Sequence, residues 1–178
     1  MKPIISRTQA SLKIIEVALY TTGGTIDGID ADLGTSRSES DAAKWFKKRP
    51  DVRCSVFNLF VKDSRDLTDQ DRETIIESVK NSPSEHILIS HGSFTAAKTG
   101  KAMKAALPET HKTILIVMAR KAFGVPNSDA PTQMELAVDI LRSGRPGVWL
   151  VFEGRLYDPD FAKKVSTEDG FYFIEERP

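Results

Sequence analysis

Residues 13–28, KIIEVALYTTGGTIDG, constrain the chain more than any other stretch. Ile14, Ile15, Val17, Ala18, Leu19 and Tyr20 form a nearly continuous apolar run, rich in β-branched and aromatic side chains. That is the pattern of a strand buried on both faces. The run stops at Gly23 and Gly24, which allow positive φ or a close backbone approach. The chain is therefore expected to turn sharply there and aim Thr21, Thr22 and Thr25 into the space above a sheet, where open α/β sheets bind their ligands. Taken alone, a Gly-rich string of this length is an ordinary strand-to-loop turn. Polar loops at later strand ends give it more weight.

Residues 27–37 are polar, carry Gly28 and Gly34, and read as a mobile loop beside the strand end. Ser38 to Asp41 supplies a helix start signal, and Ala42, Trp45, Phe46 and Arg49 continue at helical spacing up to Pro50. Residues 52–61 make a second strand. Thr68 with Asp71 caps a second helix carrying Ile75, Ile76 and Val79. HILIS (86–90) is a third strand, TAAKTGKAMKAAL a helix of small residues, and TILIVMA (113–119) a fourth strand. A helix on Met134, Ala137, Val138 and Leu141 ends near Gly144, and VWLVF (148–152) is a fifth strand. The tail from Glu153 offers one more strand at 171–174. Strand and helix alternate throughout, which predicts an α/β fold of three layers: a mainly parallel sheet with helices on both faces.

A chain of 178 residues fits one domain, here 1–178 with residues 1–12 as a flexible arm. Its 25 basic and 25 acidic residues cancel, so no global field points to nucleic acid or an anionic membrane. No run approaches the ~20 apolar residues of a membrane span, and no secretory h-region precedes the first strand. A cytoplasmic protein is expected. Cys54 is the single cysteine, which excludes an internal disulfide, and it reads as a small strand hydrophobe. No His/Cys/Asp/Glu set has ligand spacing, so neither metal nor cofactor is expected. Asp66, Asp69 and Asp71 read as helix-capping groups, His91 as structural, and His86 and His111 as solvated.

Three loops carry polar chemistry at one expected edge: TTGGTID (21–27), DSRDLT (63–68) and HGSFT (91–95). With SDAP at 128–131 and the strand GVWLVFEGRL, they resemble, in order, the amino-terminal domain of the bacterial-type L-asparaginase/glutaminase family. The resemblance spans residues 14 to about 165 and implies an amidohydrolase. Thr25 matches the family's nucleophilic threonine, and Gly24 with neighbouring amides would form the oxyanion site. Ser64 matches the serine that holds the substrate carboxylate, with Arg65 beside it. Ser93, after Gly92, replaces the family's second catalytic threonine. Phe94 stands where the family has the aspartate that binds the substrate's α-ammonium, so free asparagine is expected to fit poorly. The 27–37 loop contains no lid tyrosine. The family's catalytic lysine falls, in this register, near Arg142–Arg145, where arginine cannot serve as base, leaving Lys121 or Lys98 to substitute. The family's carboxyl-terminal domain is expected to be missing, and the surface it would cover to be buried in a homo-oligomer.

Two functions stand out on this basis. One is a threonine-nucleophile amidohydrolase acting on a small-molecule amide or carboxylate. The other is a binding protein that keeps the hydroxyls and has lost their activation. A nucleotide-binding alternative lacks a Walker lysine and a GxGxxG spacing.

Overall fold

The computed structural model describes residues 13–28 and 39–177. Five parallel strands form the sheet: β1 (Ile15–Gly23), β2 (Val52–Lys62), β3 (His86–Ser90), β4 (Thr113–Val117) and β5 (Gly147–Phe152). A short β6 (Arg155–Tyr157) folds back antiparallel on β5, giving the order β2-β1-β3-β4-β5-β6. The helices are α1 (Asp41–Phe46), α2 (Asp69–Lys80), α3 (Ala96–Ala106) and α4 (Ala130–Ser143).

Strand alternation divides the core in two. Val17, Leu19, Leu115 and Val117 pack with Ala42 and Phe46 of α1 and Met134 and Leu141 of α4. Ala18, Tyr20, Ile87, Ile89, Ile114 and Ile116 face the other way, against Ile75 and Val79 of α2 and Met103 of α3. Both faces are covered, as the unbroken apolar runs predict. The mainly parallel α/β architecture is the one expected.

Three local expectations change. Ser40, not Ser38, caps α1, its hydroxyl accepting from Ala43 N at 3.1 Å, and the helix ends at Phe46. Ser38 and most of the 27–37 loop lie outside the described residues, as does the 1–12 arm. The tail is more structured than its sequence suggests: β7 (Ala162–Thr167) and β8 (Gly170–Glu175) form an antiparallel hairpin. Its turn, Glu168-Asp169-Gly170, carries an Asp-Gly pair that is itself a hairpin signal. Phe173 of this hairpin is buried with Phe152 and Tyr157, and Phe171 stacks on Phe152 at 5.1 Å between centroids. Thr68 and Asp71 form the expected capping box, each side chain accepting from the other's backbone N–H.

Candidate active site

The strand order reverses between β1 and β3, because β2 lies on one side of β1 and β3, β4 and β5 on the other. Parallel sheets open a crevice at such a switch point, beyond the carboxyl ends of the two strands. The TGGT turn leaves β1 there and the HGS turn leaves β3. Their backbones touch: a Cβ on Gly24 would lie 2.6 Å from Gly92 Cα. Gly24 also has φ +79, so its lack of a side chain is required twice over. Gly23 is as constrained, since a Cβ there would lie 2.2 Å from the carbonyl oxygen of Lys62. The third loop closes on the same point. A Cβ on Gly92 would lie 2.6 Å from Ser64 Oγ, and Thr95 Oγ1 donates to Ser64 O at 2.7 Å. Residues 24–25, 64 and 92–93 are thus brought together from three separate strand ends.

The hydroxyls differ in what they do. Thr21 and Thr22, expected to face the crevice, are instead buried and engaged. Thr21 donates to Asn58 Oδ1 at 2.9 Å and Thr22 to Ser90 O at 2.7 Å, which ties β1 to both neighbours. Thr25 opens a 3₁₀ turn, Thr25–Asp27, and remains half-exposed. Ser64 begins another such turn, Ser64–Asp66, and is 1 % exposed, its Oγ without a hydrogen-bond partner among the described residues. Ser93 is the hydroxyl with a lysine amine beside it. Lys164 Nζ on β7 lies 2.9 Å from Ser93 Oγ.

Arg142 and Lys98, expected near the site, are engaged elsewhere, and a different lysine stands beside Ser93. Arg142 sits at the opposite edge of the sheet, where it donates to Lys13 O and to Asp51 Oδ2, both at 2.6 Å. Lys98 pairs with Asp69 at 2.8 Å. Lys164 arrives from the hairpin instead, and the pairing register explains how. Lys164 is opposite Phe173 and Ser166 opposite Phe171, so these side chains share the hairpin face that packs inward on Phe152. The period-2 alternation of Ala162, Lys164 and Ser166 against Phe171 and Phe173 was the signal available in the sequence.

Lys164 is bracketed by rings. Its Nζ lies 3.4 Å from the Phe94 centroid and 3.9 Å from that of Phe171. Arg65 Cζ stands 4.6 Å from the Phe94 ring as well. Asp63 accepts from Arg65 N at 2.8 Å and from its Nε and Nη2, each at 3.0 Å, fixing the guanidinium. Burial, reinforced by the Arg65 charge, brings the Lys164 ammonium down to about 8.

Beneath the site lie two buried titratable groups. Asp27 accepts from Gly23 N at 3.0 Å and from the hydroxyls of Ser40 and Ser90, and burial raises its carboxyl to about 6. His91 is fully buried, with Nδ1 2.7 Å from Gly92 O and Nε2 2.9 Å from Thr99 Oγ1. A carbonyl only accepts, so Nδ1 carries the proton and Nε2 accepts from Thr99. Burial lowers its pKa to about 4, which keeps the ring neutral and structural. The Cys54 thiol is pushed up to about 12 by burial, in keeping with a strand hydrophobe. A separate cleft of about 790 Å³ lies at the far edge of the sheet, lined among others by Ile14, Glu16, Phe57, His86 and Arg142. No residue of the three loops lines it.

Residues 16–176 match the family described as "Asparaginase, N-terminal". The chain belongs to the asparaginase family. The L-asparaginase of Thermococcus kodakarensis is 25% identical over 148 residues, which are 80% of this chain and 45% of that protein. Among solved structures, the thermostable L-asparaginase from Thermococcus kodakarensis superposes with a TM-score of 0.74 at 22% identity, covering 89% of this chain and 51% of that one. L-asparaginase I from Vibrio cholerae gives 0.70 at 18% identity, over 90% and 51%. A probable cytoplasmic L-asparaginase from Campylobacter jejuni gives 0.68 at 18%, over 89% and 49%. This asparaginase-family chain spans about half the length of the relatives it matches, and the shared half is their amino-terminal domain.

Proposed function

We propose that the chain is an asparaginase-like amidohydrolase that acts through a hydroxyl nucleophile on a substrate other than free asparagine. The observation that carries this is the 2.9 Å contact between Ser93 Oγ and Lys164 Nζ. At pH 7 a lysine titrating near 8 is neutral roughly one time in ten, far more often than an ordinary lysine. Such an amine accepts the Ser93 proton as Oγ bonds to the amide carbon. Negative charge then moves to the carbonyl oxygen, for which backbone N–H groups of the Gly24 and Gly92 turns are the proposed donors. As the C–N bond breaks, Lys164 returns the proton to the leaving nitrogen, which departs as ammonia. Water, deprotonated by Lys164 in turn, cleaves the acyl ester.

Thr25 is the second candidate nucleophile. Its support is the TTGGTID motif and its half-exposed place next to Gly24, which packs on Gly92. In that variant the Ser93–Lys164 pair relays the proton. Ser64 and Arg65 are the proposed contacts for the substrate's carboxylate end. A cytoplasmic homo-oligomer completes the proposal; one structural relative is called a probable cytoplasmic enzyme.

The test is ammonia release from a panel of ω-amides by the wild-type chain and by Ser93→Ala, Thr25→Ala and Lys164→Met. Mass spectrometry of acid-quenched samples is expected to locate the acyl group on Ser93. An acyl group on Thr25 would transfer the nucleophile role to that residue. A folded wild-type chain that releases ammonia from none of the amides would refute the amidohydrolase assignment.

A further inference from the structure

The mouth of the site is an alternating stack of cations and rings. Arg65 lies over Phe94, Lys164 stands near both Phe94 and Phe171, and Arg120 comes next at 5.4 Å from Phe171 and 5.7 Å from Phe152. Phe94 is 54% exposed, so its ring forms part of the surface that an incoming molecule meets beside Ser93.

Among the described residues, the carboxylates around this stack are already committed. Asp63 clamps Arg65 through three N–H donors. Glu153 is paired with Arg120. Asp27 is 2% exposed and receives Gly23 N and two serine hydroxyls. A substrate ammonium placed next to Phe94 would meet Arg65 and Lys164 at close range, and among the described residues no uncommitted carboxylate stands beside them to pair with it. A ring face offers a cation some attraction, but two cations already occupy positions over Phe94. A like charge beside them is repelled, the more strongly where water is excluded.

We propose that this site selects substrates without a free ammonium: ω-amides of carboxylic acids whose α-nitrogen is absent or acylated. The proposal rests on the amidohydrolase assignment for its reaction, but the charge selection it asserts is measurable without turnover.

Succinate and L-aspartate differ by one ammonium group and make the cleanest pair of probes. In calorimetric titrations at pH 7 succinate is expected to bind about tenfold or more tightly than L-aspartate, a difference of about 1.4 kcal/mol per tenfold. Phe94→Asp supplies the lacking carboxylate and is expected to reverse the order. Phe94→Leu keeps an uncharged side chain at the same exposed position and is expected to retain the succinate preference. Aspartate binding as tightly as succinate to the wild-type chain would overturn the proposal, and so would binding of neither. A parallel assay compares ammonia release from succinamic acid and from asparagine, with kcat/KM expected to favour succinamic acid by a similar factor. Faster turnover of asparagine would also overturn the proposal. Succinate preference with no turnover of either amide would support the charge selection while counting against the amidohydrolase assignment alone.

Discussion

At Lys164 the chemistry and the pH dependence can be separated. In the proposed mechanism its neutral form is the base, so kcat/KM is expected to rise with pH through a midpoint near 8. Removing the base with Lys164→Met should cost about 10²–10⁴ in rate. Arg65→Met deletes a cation that depresses the lysine, and the rising limb should then move to higher pH. A limb unchanged in Arg65→Met would show that burial alone sets the titration. Asp27 and His91 instead bear on stability, with opposite signs. The Asp27 carboxyl is raised from 3.8 to about 6 in the folded chain, so its contribution is present below pH ~4 and lost as pH rises through 6. His91 is lowered from 6.5 to about 4, so its contribution is present above 6.5 and lost as pH falls through 4. Each shift is worth on the order of 3 kcal/mol, and over the shared window they offset. Urea denaturation of the wild-type chain should therefore give little contribution from this pair to the pH dependence between pH 4 and 6. In Asp27→Asn the His91 effect stands alone, and stability should fall on acidification across the same range. A slope identical to wild type would remove Asp27 from the account.

Among the elements, the β7–β8 hairpin matters most to the proposed mechanism for its size, because it brings Lys164 to the loop that follows β3. Phe171 anchors it by stacking on Phe152 and lies 3.9 Å from the Lys164 nitrogen. Phe171→Ala is expected to destabilise the fold by about 1–3 kcal/mol and to reduce activity more than stability, with kcat falling and the melting transition still cooperative. Gly24→Ala tests the opposite side of the crevice. With φ +79 and a new Cβ 2.6 Å from Gly92, it should cost more than about 2 kcal/mol, read as a drop in the thermal midpoint. Strands β1, β3, β4 and β5 were legible because they are buried on both faces and so nearly unbroken in hydropathy, and the loops because Gly, Ser and Thr cluster at strand ends. The two glycines could be read as a turn, but not as the surface against which Gly92 packs, since that contact joins residues far apart in the chain. Lys164 was illegible for a different reason. A lysine in AKKVST on a half-exposed strand resembles a solvated charge until the partner strand's aromatics define which face turns inward.

On the scale of the whole molecule, the sheet ends in an exposed edge. Among the described residues β2 pairs only with β1, and Val56, Phe57 and Val61 on it are exposed, Phe57 stacking on Tyr20 at 5.0 Å between centroids. An apolar edge strand of this length invites pairing with another chain. Sedimentation velocity is expected to show a homo-oligomer that Val61→Lys weakens; a strict monomer at high protein concentration would count against it. The proposed site draws on residues 24, 64, 93 and 164, each delivered by a different segment. In order of synthesis the three hydroxyl-bearing loops precede the lysine. A growing chain can therefore make all five parallel strands before residues 162–175 exist, and under the proposed mechanism its serine would gain a proton acceptor only once the β7–β8 hairpin docks. A version ending before Ala162 is expected to release no ammonia in the same amide assay, because the proposed chemistry waits on the hairpin's arrival.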